Sequence, residues 1–205
     1  MKPQKLFITT TAAMFLFAAC IPSVDPFYTD KDVVFDTLLL GEWQDKDNSN
    51  NSHAWTFEKA GDKDYKLTVR EKEGKQGQFD ARLFKLKDKC FLDIIPTDCS
   101  FATNQVDLVG ACMFPGHLLL RVSQIEPELK LAFLNFDWLA KYLGEHPKAL
   151  AHHQEEKRII LTATTSDLQA FVLEHLGEGE LFSEQGVMVR KSARSATGVK
   201  AQDRP

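Results

Sequence analysis

Short segments in which apolar and polar residues alternate constrain the fold of this chain more than any other feature. In "DYKLTVRE" the apolar side chains of Tyr65, Leu67 and Val69 alternate with polar ones, and "AWTFEK" places Trp55 and Phe57 on one face. A period of two residues puts every second side chain on the same face of a β-strand. Between these runs lie segments such as "AGDKD", whose glycine and aspartate residues favour turns. The pattern predicts antiparallel sheet built from hairpins.

Similar segments continue through most of the chain. In "QFDARLFKLKD" the apolar residues change from odd to even positions after Leu83, which predicts a β-bulge or a strong bend. Further β-like runs are "CFLDIIP", "HLLLRVSQI", "ELKLAFLNF", "KRIILTA" and "GVMVRK". About nine short strands, joined mostly as hairpins, predict a mainly β fold with an antiparallel, strongly curved sheet or a barrel. An α+β arrangement is the alternative.

Helical signals lie mainly in the last third of the chain. The segment "DWLAKYLGEHP" predicts a helix that is capped by Asp137 and ends at Gly144. A second helix is predicted in "TTSDLQAFVLEHLGEGE", where Ser166 and Gln169 have the spacing of a capping box and Gly177 ends the helix. We expect this second helix to cover an open face or end of the sheet.

The first 19 residues have the features of an export signal. Lys2 and Lys5 precede the apolar run "LFITTTAAMFLFAA", which is shorter than the ~20 apolar residues of a membrane span. The end of this run, "LFAAC", resembles the lipobox of bacterial lipoproteins, with Ala18 and Ala19 before Cys20. That resemblance implies cleavage before Cys20, diacylglyceryl transfer to its thiol, and acylation of its new amino group by a chain such as palmitate. The alternatives are an ordinary secretory signal cleaved near Ala19, or a buried cysteine that stands there by chance.

These features divide the chain into four parts. Residues 1–19 are predicted to be a lipoprotein signal peptide, and 20–32 a lipidated tether, because "IPSVDPFYTDKD" holds two prolines and mixed charges. Residues 33–191 are predicted to form a single β-rich domain, which fits a chain of 205 residues. The unpatterned segment 192–205 is predicted to be a disordered tail.

A lipid anchor predicts a protein of the bacterial cell envelope. In a diderm bacterium, Ile21 in place of an aspartate after Cys20 favours the outer membrane, with the domain facing the periplasm or the surface. The formal net charge is −4 and falls to −6 without residues 1–19, which hold two lysines and no acids. Because nucleic-acid-binding surfaces are basic, this balance argues against a nucleic-acid partner.

Three cysteines remain after Cys20, an odd number for a compartment that permits disulfides. Cys99 and Cys112 bracket "SFATNQVDLVGA" and are the candidates for a disulfide, whereas Cys90 begins a predicted strand and fits a small core residue. The sequence has no CxxC motif, so it supports neither a zinc knuckle nor a thioredoxin-like site.

The segment "LLGEW" is similar to the first strand of lipocalins. Gly41 and Trp43 match the Gly-x-Trp of that family, although the later Thr-Asp-Tyr turn is missing. The resemblance implies a lipocalin-like barrel with a C-terminal helix packed on it, one end of which is closed by Gly41 and Trp43, with Arg190 as a candidate partner of Trp43. The run from "LLGEWQ" to "CFLDIIP" also resembles uncharacterised bacterial lipoproteins, a group that implies no activity.

No motif in the chain indicates catalysis, since it has no G-x-S-x-G elbow, P-loop or complete G-x-G-x-x-G. In "AHHQEE", His152 would share a helical face with Glu155 or Glu156. The order H-E-x-x-H is absent, so we expect a solvated connector and no metal, with His152, His153 and Glu156 as weak candidates for ligands. Asp93 lies among apolar residues in "CFLDIIP", and we expect it to point outward from a half-buried strand.

The sequence therefore predicts a non-enzymatic, lipid-anchored domain that acts as a binding or envelope-accessory module. It would bind a small apolar ligand or an envelope protein and hold no cofactor besides the diacylglycerol and acyl chain on Cys20. Phe101, Phe114 and Trp138 lie in or beside connections where a cavity mouth could be. The alternatives are a metal-assisted hydrolase that uses the histidine cluster, and a purely structural lipoprotein whose barrel is filled by its own side chains.

Overall fold

The structure of the protein is a computed structural model that describes residues 20–47, 53–71, 75–97, 114–155, 158–177 and 179–191. The strands are β1 (Pro22–Ser23), β2 (Gly41–Asp45), β3 (Ala54–Lys59), β4 (Asp64–Arg70), β5 (Gln76–Leu86), β6 (Lys89–Pro96), β7 (His117–Gln124), β8 (Glu128–Phe133), β9 (His152–Glu155), β10 (Arg158–Leu161) and β11 (Gly186–Arg190). The helices are α1 (Phe136–Glu145) and α2 (Thr165–His175), and a 3-10 helix spans Thr37–Leu39.

Eight of these strands close into an antiparallel barrel. The order around it is β2, β3, β4, β5, β6, β7, β8 and β11, and β11 pairs with β2 to complete the circle. The predicted mainly β fold with an antiparallel barrel is therefore confirmed, and its architecture is consistent with a lipocalin-like barrel.

Three short strands extend the sheet outside the barrel. β1 pairs antiparallel with the start of β7 and parallel with β10, and β10 pairs antiparallel with β9. Residues 20–32 were predicted to be a tether, but from Ile21 onwards they are part of the folded domain, and Ile21 and Phe27 are 2% and 1% exposed. The two prolines were interpreted as a sign of a tether, but proline is also tolerated in the first residue of a strand and in turns.

The apolar side chains form two cores on opposite faces of the sheet. The barrel interior holds one core, whose largest fully buried members include Trp43, Tyr65, Phe57, Leu67, Leu83, Leu92 and Leu120. The second core lies between the outer face of β5 to β8 and the helices, and includes Phe84, Phe91, Leu119, Leu139, Leu143, Leu168 and Phe171. The helices thus cover one side of the barrel.

Strand β5 contributes to both cores. Ala81 and Leu83 point into the barrel, and Phe84 and Leu86 point into the second core. The pairing of β5 with β6 runs without interruption from Phe79 to Leu86, so the predicted bulge is wrong, while the strong bend that was its alternative stays a prediction. A strand that is buried on both faces carries apolar residues at successive positions, so its sequence loses the alternation of apolar and polar residues. In β5 this loss has the same appearance as a shift of the apolar residues from odd to even positions.

Both predicted helices are present, but each cap is a different residue from the predicted one. Asn135 caps α1 by accepting hydrogen bonds from the N–H groups of Asp137 and Trp138, and Thr164 caps α2 by accepting one from the N–H of Asp167. The predicted caps Asp137 and Ser166 already lie inside the first turns. Gln169 does not complete a capping box, because its side chain donates to the N-terminal segment instead.

Candidate functional site

A cavity of about 310 Å³ opens at one end of the barrel, which we call the open end. Its apolar wall is formed by Trp55, Val69, Phe79, Ile94, Leu118 and Phe133. These residues converge because neighbouring strands of an antiparallel barrel alternately begin and end at the same rim. β3, β5 and β7 begin at this rim, and β4, β6 and β8 end there.

The polar residues of the cavity come from the β4–β5 side of the mouth. They are Glu71, Lys75 and Gln76, and the N–H of Glu71 donates to the carbonyl of Lys75 at 2.8 Å. Small-molecule sites typically measure roughly 300–1,000 Å³ and combine apolar walls with a few polar groups. The cavity lies at the small end of this range, so it can take up part of an acyl chain or a comparable apolar group, with a polar head at the rim.

The opposite end of the barrel, the closed end, is covered by residues 33–40, which we call the closing segment. The Nε1–H of the fully buried Trp43 donates to the carbonyl of Leu39 at 2.9 Å. The guanidinium of Arg190 lies 4.3 Å from the Trp43 ring centre and donates to the carbonyls of Leu40 at 2.7 Å and Leu38 at 2.6 Å. Charge-assisted bonds of this kind are among the stronger ones in proteins. The structure thus brings together the two residues that the sequence paired.

Gly41 stands where a side chain does not fit. Its φ is +115°, in the region that favours glycine, and an added Cβ would lie 2.8 Å from Nη1 of Arg190. The glycine of the Gly-x-Trp match therefore gives the guanidinium the space to reach the closing segment.

Tyr65 fixes the closing segment from inside the barrel. Its hydroxyl accepts a hydrogen bond from the N–H of Asp36 at 2.6 Å and donates to the Asp36 carbonyl at 3.0 Å. Its ring stacks on Phe35 with the centroids 4.7 Å apart. Burial raises the pKa of Tyr65 to about 12, so the hydroxyl stays protonated at neutral pH. The sequence identified Tyr65 as an inward-facing residue, but gave no sign of its partner.

Asp93 is buried, at 1% exposure, and the prediction that it points outward is wrong. One carboxylate oxygen accepts from the N–H of Phe27 at 3.0 Å, and the other lies 2.7 Å from Nδ1 of His117. The prediction failed because the segment that covers Asp93 was taken for a tether. A lone carboxylate in an apolar run was the one signal that could have found this pair.

The Asp93–His117 pair resembles the pairs that orient a catalytic base, and Ser23 lies directly opposite His117 in the β1–β7 ladder. However, Ser23 is 0% exposed, so no substrate can reach its hydroxyl. Asp93 and His117 form an interior polar pair, and the hydrogen bond from the Phe27 N–H to Asp93 holds the N-terminal segment on the barrel.

The histidine cluster lies on β9. Successive residues of a strand point to opposite faces, so the helical face predicted for His152 and Glu155 does not exist. His152 Nδ1 lies 2.8 Å from the carbonyl of Leu150, and the exposed His153 lies 3.3 Å from Glu155. Glu156 lies outside the described residues. Among those residues, no group of three or more His, Cys, Asp and Glu side chains could hold a metal ion.

Cys20 and Cys90 are free, partly buried thiols. Burial raises the pKa of both thiols above the ordinary value, so neither is activated as a nucleophile at neutral pH. Cys90 packs against the barrel core. The disulfide candidates Cys99 and Cys112 lie outside the described residues, as do residues 1–19 and 192–205.

Of the aromatic residues expected near a cavity mouth, Phe114 lies at the open end. It stands shortly before β7, whose Leu118 lines the cavity, and is 43% exposed. Trp138 instead lies on α1, where it stacks on Tyr142 at 5.0 Å and packs against α2. Phe101 lies outside the described residues.

Comparison of the chain with models of known protein families, with curated proteins and with solved structures found no match. Within the described ranges, no helix combines the length and the apolar composition that crossing a membrane requires.

Proposed function

We propose that this protein is a lipid-anchored bacterial lipoprotein whose barrel binds a small apolar molecule in the cavity at its open end. The observation that carries the proposal is the cavity of about 310 Å³, with its apolar wall and its polar groups on one side of the mouth. Binding of this kind needs no catalytic group. It also needs no cofactor beyond the diacylglycerol and acyl chain expected on Cys20.

The difference between the two halves of the barrel interior favours binding over a purely structural role. Towards the closed end the interior is filled by side chains such as Trp43, Phe57 and Leu83, which are at most 1% exposed. Burial of apolar surface stabilises a fold by roughly 25 cal/mol per Å². A barrel that served only as a scaffold would therefore be more stable if side chains filled both of its ends. A ligand in the cavity would supply the missing contacts.

The anchor in this proposal rests on "LFAAC" and on the apolar run before it. Several acyl chains hold a protein on a bilayer far more firmly than one, since each buried CH₂ contributes about 0.8 kcal/mol. We therefore place the domain in the cell envelope. In a diderm bacterium we expect it on the outer membrane, facing the periplasm or the surface.

Displacement of a dansyl-labelled fatty acid by palmitate tests the binding. The mature chain with Cys20→Ser, which carries no lipid of its own, should bind the probe, and Val69→Trp, which fills the cavity, should weaken binding about tenfold or more. Thr68→Trp is the matched control, because Thr68 points away from the cavity on the same strand. Absence of probe binding, or equal binding by all three proteins, would show that the cavity is not a ligand site.

Incorporation of labelled palmitate in cells that express the full chain tests the anchor. Label should appear in the parent protein and be absent from Cys20→Ser. Equal label in both proteins would rule out Cys20 as the acceptor.

A further inference from the structure

The folded domain begins directly after Cys20, with no spacer between the anchor and the barrel. Ile21 is 2% exposed, and β1 starts at Pro22. Two residues of extended chain span at most about 7 Å, so the lipids on Cys20 would enter a bilayer right beside β1. The place of β1 in the fold therefore decides which part of the domain lies nearest to the membrane.

β1 lies at the mouth of the cavity. Pro22 is the direct partner of Leu118, which lines the cavity, and Ser23 is the partner of His117. Direct partners across two strands point to the same face, so Pro22 lies on the face of the sheet from which Leu118 reaches the cavity. With a separation of about 5 Å between partner Cα atoms, Cys20 lies within about 13 Å of the cavity wall.

Exposed apolar side chains gather at the same place. Within the described ranges, the exposed large hydrophobic residues are Val24, Leu38 and Phe114, at 50%, 51% and 43%. Val24 follows β1 directly. A ring atom of Phe114 and the Cβ of Pro22 lie 3.4 and 2.5 Å from the point where a Cβ on Gly116 would be. Leu38 belongs to the closing segment at the far end of the barrel.

We propose that Cys20, Pro22, Val24 and Phe114, which we call the anchor rim, lie on the bilayer, so that the cavity takes an acyl chain directly from a membrane lipid. This inference rests on the proposed anchor and cavity. Large apolar side chains beside a lipid attachment suit the boundary between headgroups and acyl chains. An acyl chain that passes from the bilayer into an apolar cavity at its surface avoids crossing water. The polar groups at the mouth, Glu71 and Lys75, would lie at headgroup level.

Quenching by brominated lipids tests the orientation. The lipidated full chain is placed in phosphatidylcholine vesicles whose acyl chains carry bromine, and Val24→Trp, Phe114→Trp and the control Leu38→Trp are each compared with the parent. All four proteins share Trp43, Trp55 and Trp138, so the difference reports the added tryptophan. We expect quenching at positions 24 and 114 to be at least about twofold stronger than at 38. Equal quenching, or stronger quenching at 38, would overturn the orientation.

The rate of loading tests the source of the acyl chain. Val24→Gln combined with Phe114→Gln should slow the uptake of a fluorescent phospholipid from vesicles about tenfold, because polar side chains on the rim oppose contact with the acyl region. Leu38→Gln should leave that rate unchanged. Uptake of a free fatty acid from solution should be equal in all variants, which also shows that they are folded.

The outcomes separate this inference from the proposed function. If the free fatty acid binds but the double variant loads from vesicles at the parent rate, the cavity is a ligand site and the bilayer is not its source. If neither the parent nor any variant binds the free fatty acid, the proposed binding function is wrong. The proposal that the cavity is loaded from the membrane is then wrong as well.

Discussion

The two ends of the barrel are built from the same eight strands but differ in how their interiors are filled. At the closed end, Trp43, Tyr65 and Arg190 each hydrogen bond to the backbone of the closing segment. At the open end, the wall of the cavity is mainly apolar and a volume of about 310 Å³ stays free of side chains. Tight packing at one end can supply the stability that the incompletely filled end does not.

The largest expected effect is that of Trp43→Ala. It leaves a large cavity in a packed core and should lower the free energy of unfolding by about 3–5 kcal/mol. Phe79→Ala, at the half-buried wall of the open end, should cost only about 1–2 kcal/mol, since less area is lost from burial. Urea denaturation of both variants measures the difference. Equal losses would mean that the two ends are equally well packed.

Asp93→Ala should have the next largest effect, because it removes the acceptor that the Phe27 N–H and His117 share. Each hydrogen bond to a charged group contributes about 1.5–3 kcal/mol, and the buried donors would lose their partner. Asp80→Ala, at an exposed position of β5, is the control and should change stability by under about 0.5 kcal/mol. Thermal or urea unfolding compares the two. A loss no larger than that of the control would show that the N-terminal segment at the open end does not depend on this carboxylate.

Arg190→Ala tests how the closed end is held. Loss of the bonds to Leu38 and Leu40 and of the contact with Trp43 should cost about 1.5–3 kcal/mol, and Arg190→Lys should restore only part of it because an ammonium lacks the planar fork. Lys191→Ala removes an exposed ion pair with Glu42 and should cost at most about 1 kcal/mol. If hydrogen exchange shows no faster opening of the closing segment in Arg190→Ala, the guanidinium does not hold it.

Tyr65→Phe should have the smallest effect at neutral pH, about 0.5–1.5 kcal/mol for each hydrogen bond lost. The pKa of Tyr65 is raised from 10.0 to about 12, so the folded state binds this proton more tightly than the unfolded chain. The resulting stability is complete below about pH 10 and is lost as the pH rises through about 12. Unfolding free energies measured across this range should therefore fall more steeply for the parent than for Tyr65→Phe. Parallel curves would show that Tyr65 is not responsible.

Local patterns were sufficient to predict most of the barrel. Alternation in "AWTFEK" and "DYKLTVRE" predicted β3 and β4, since one face of each strand is buried and the other meets water. The same logic failed for β5, where the far end of the strand is buried on both faces. The two helices were also predictable from their period, although the caps needed backbone geometry.

The parts of the site that depend on distant contacts could not be predicted. β1 is too short to show a period, and it forms only because β7 and β10 lie beside it. The burial of Asp93 follows from that strand, so it was missed for the same reason. The cavity itself arises from the ends of several strands, and no single segment carries a signal for it.

The place of β11 in the barrel has a consequence for the order of folding. This strand, at Gly186–Arg190, fills the gap between β2 and β8, and Arg190 bonds across 150 residues to Leu40. Until β11 has been synthesised, β2 and β8 each have an unpaired edge and the barrel stays open. Contacts between such distant parts of a chain form slowly. The growing polypeptide therefore closes its barrel only after β11 has been made.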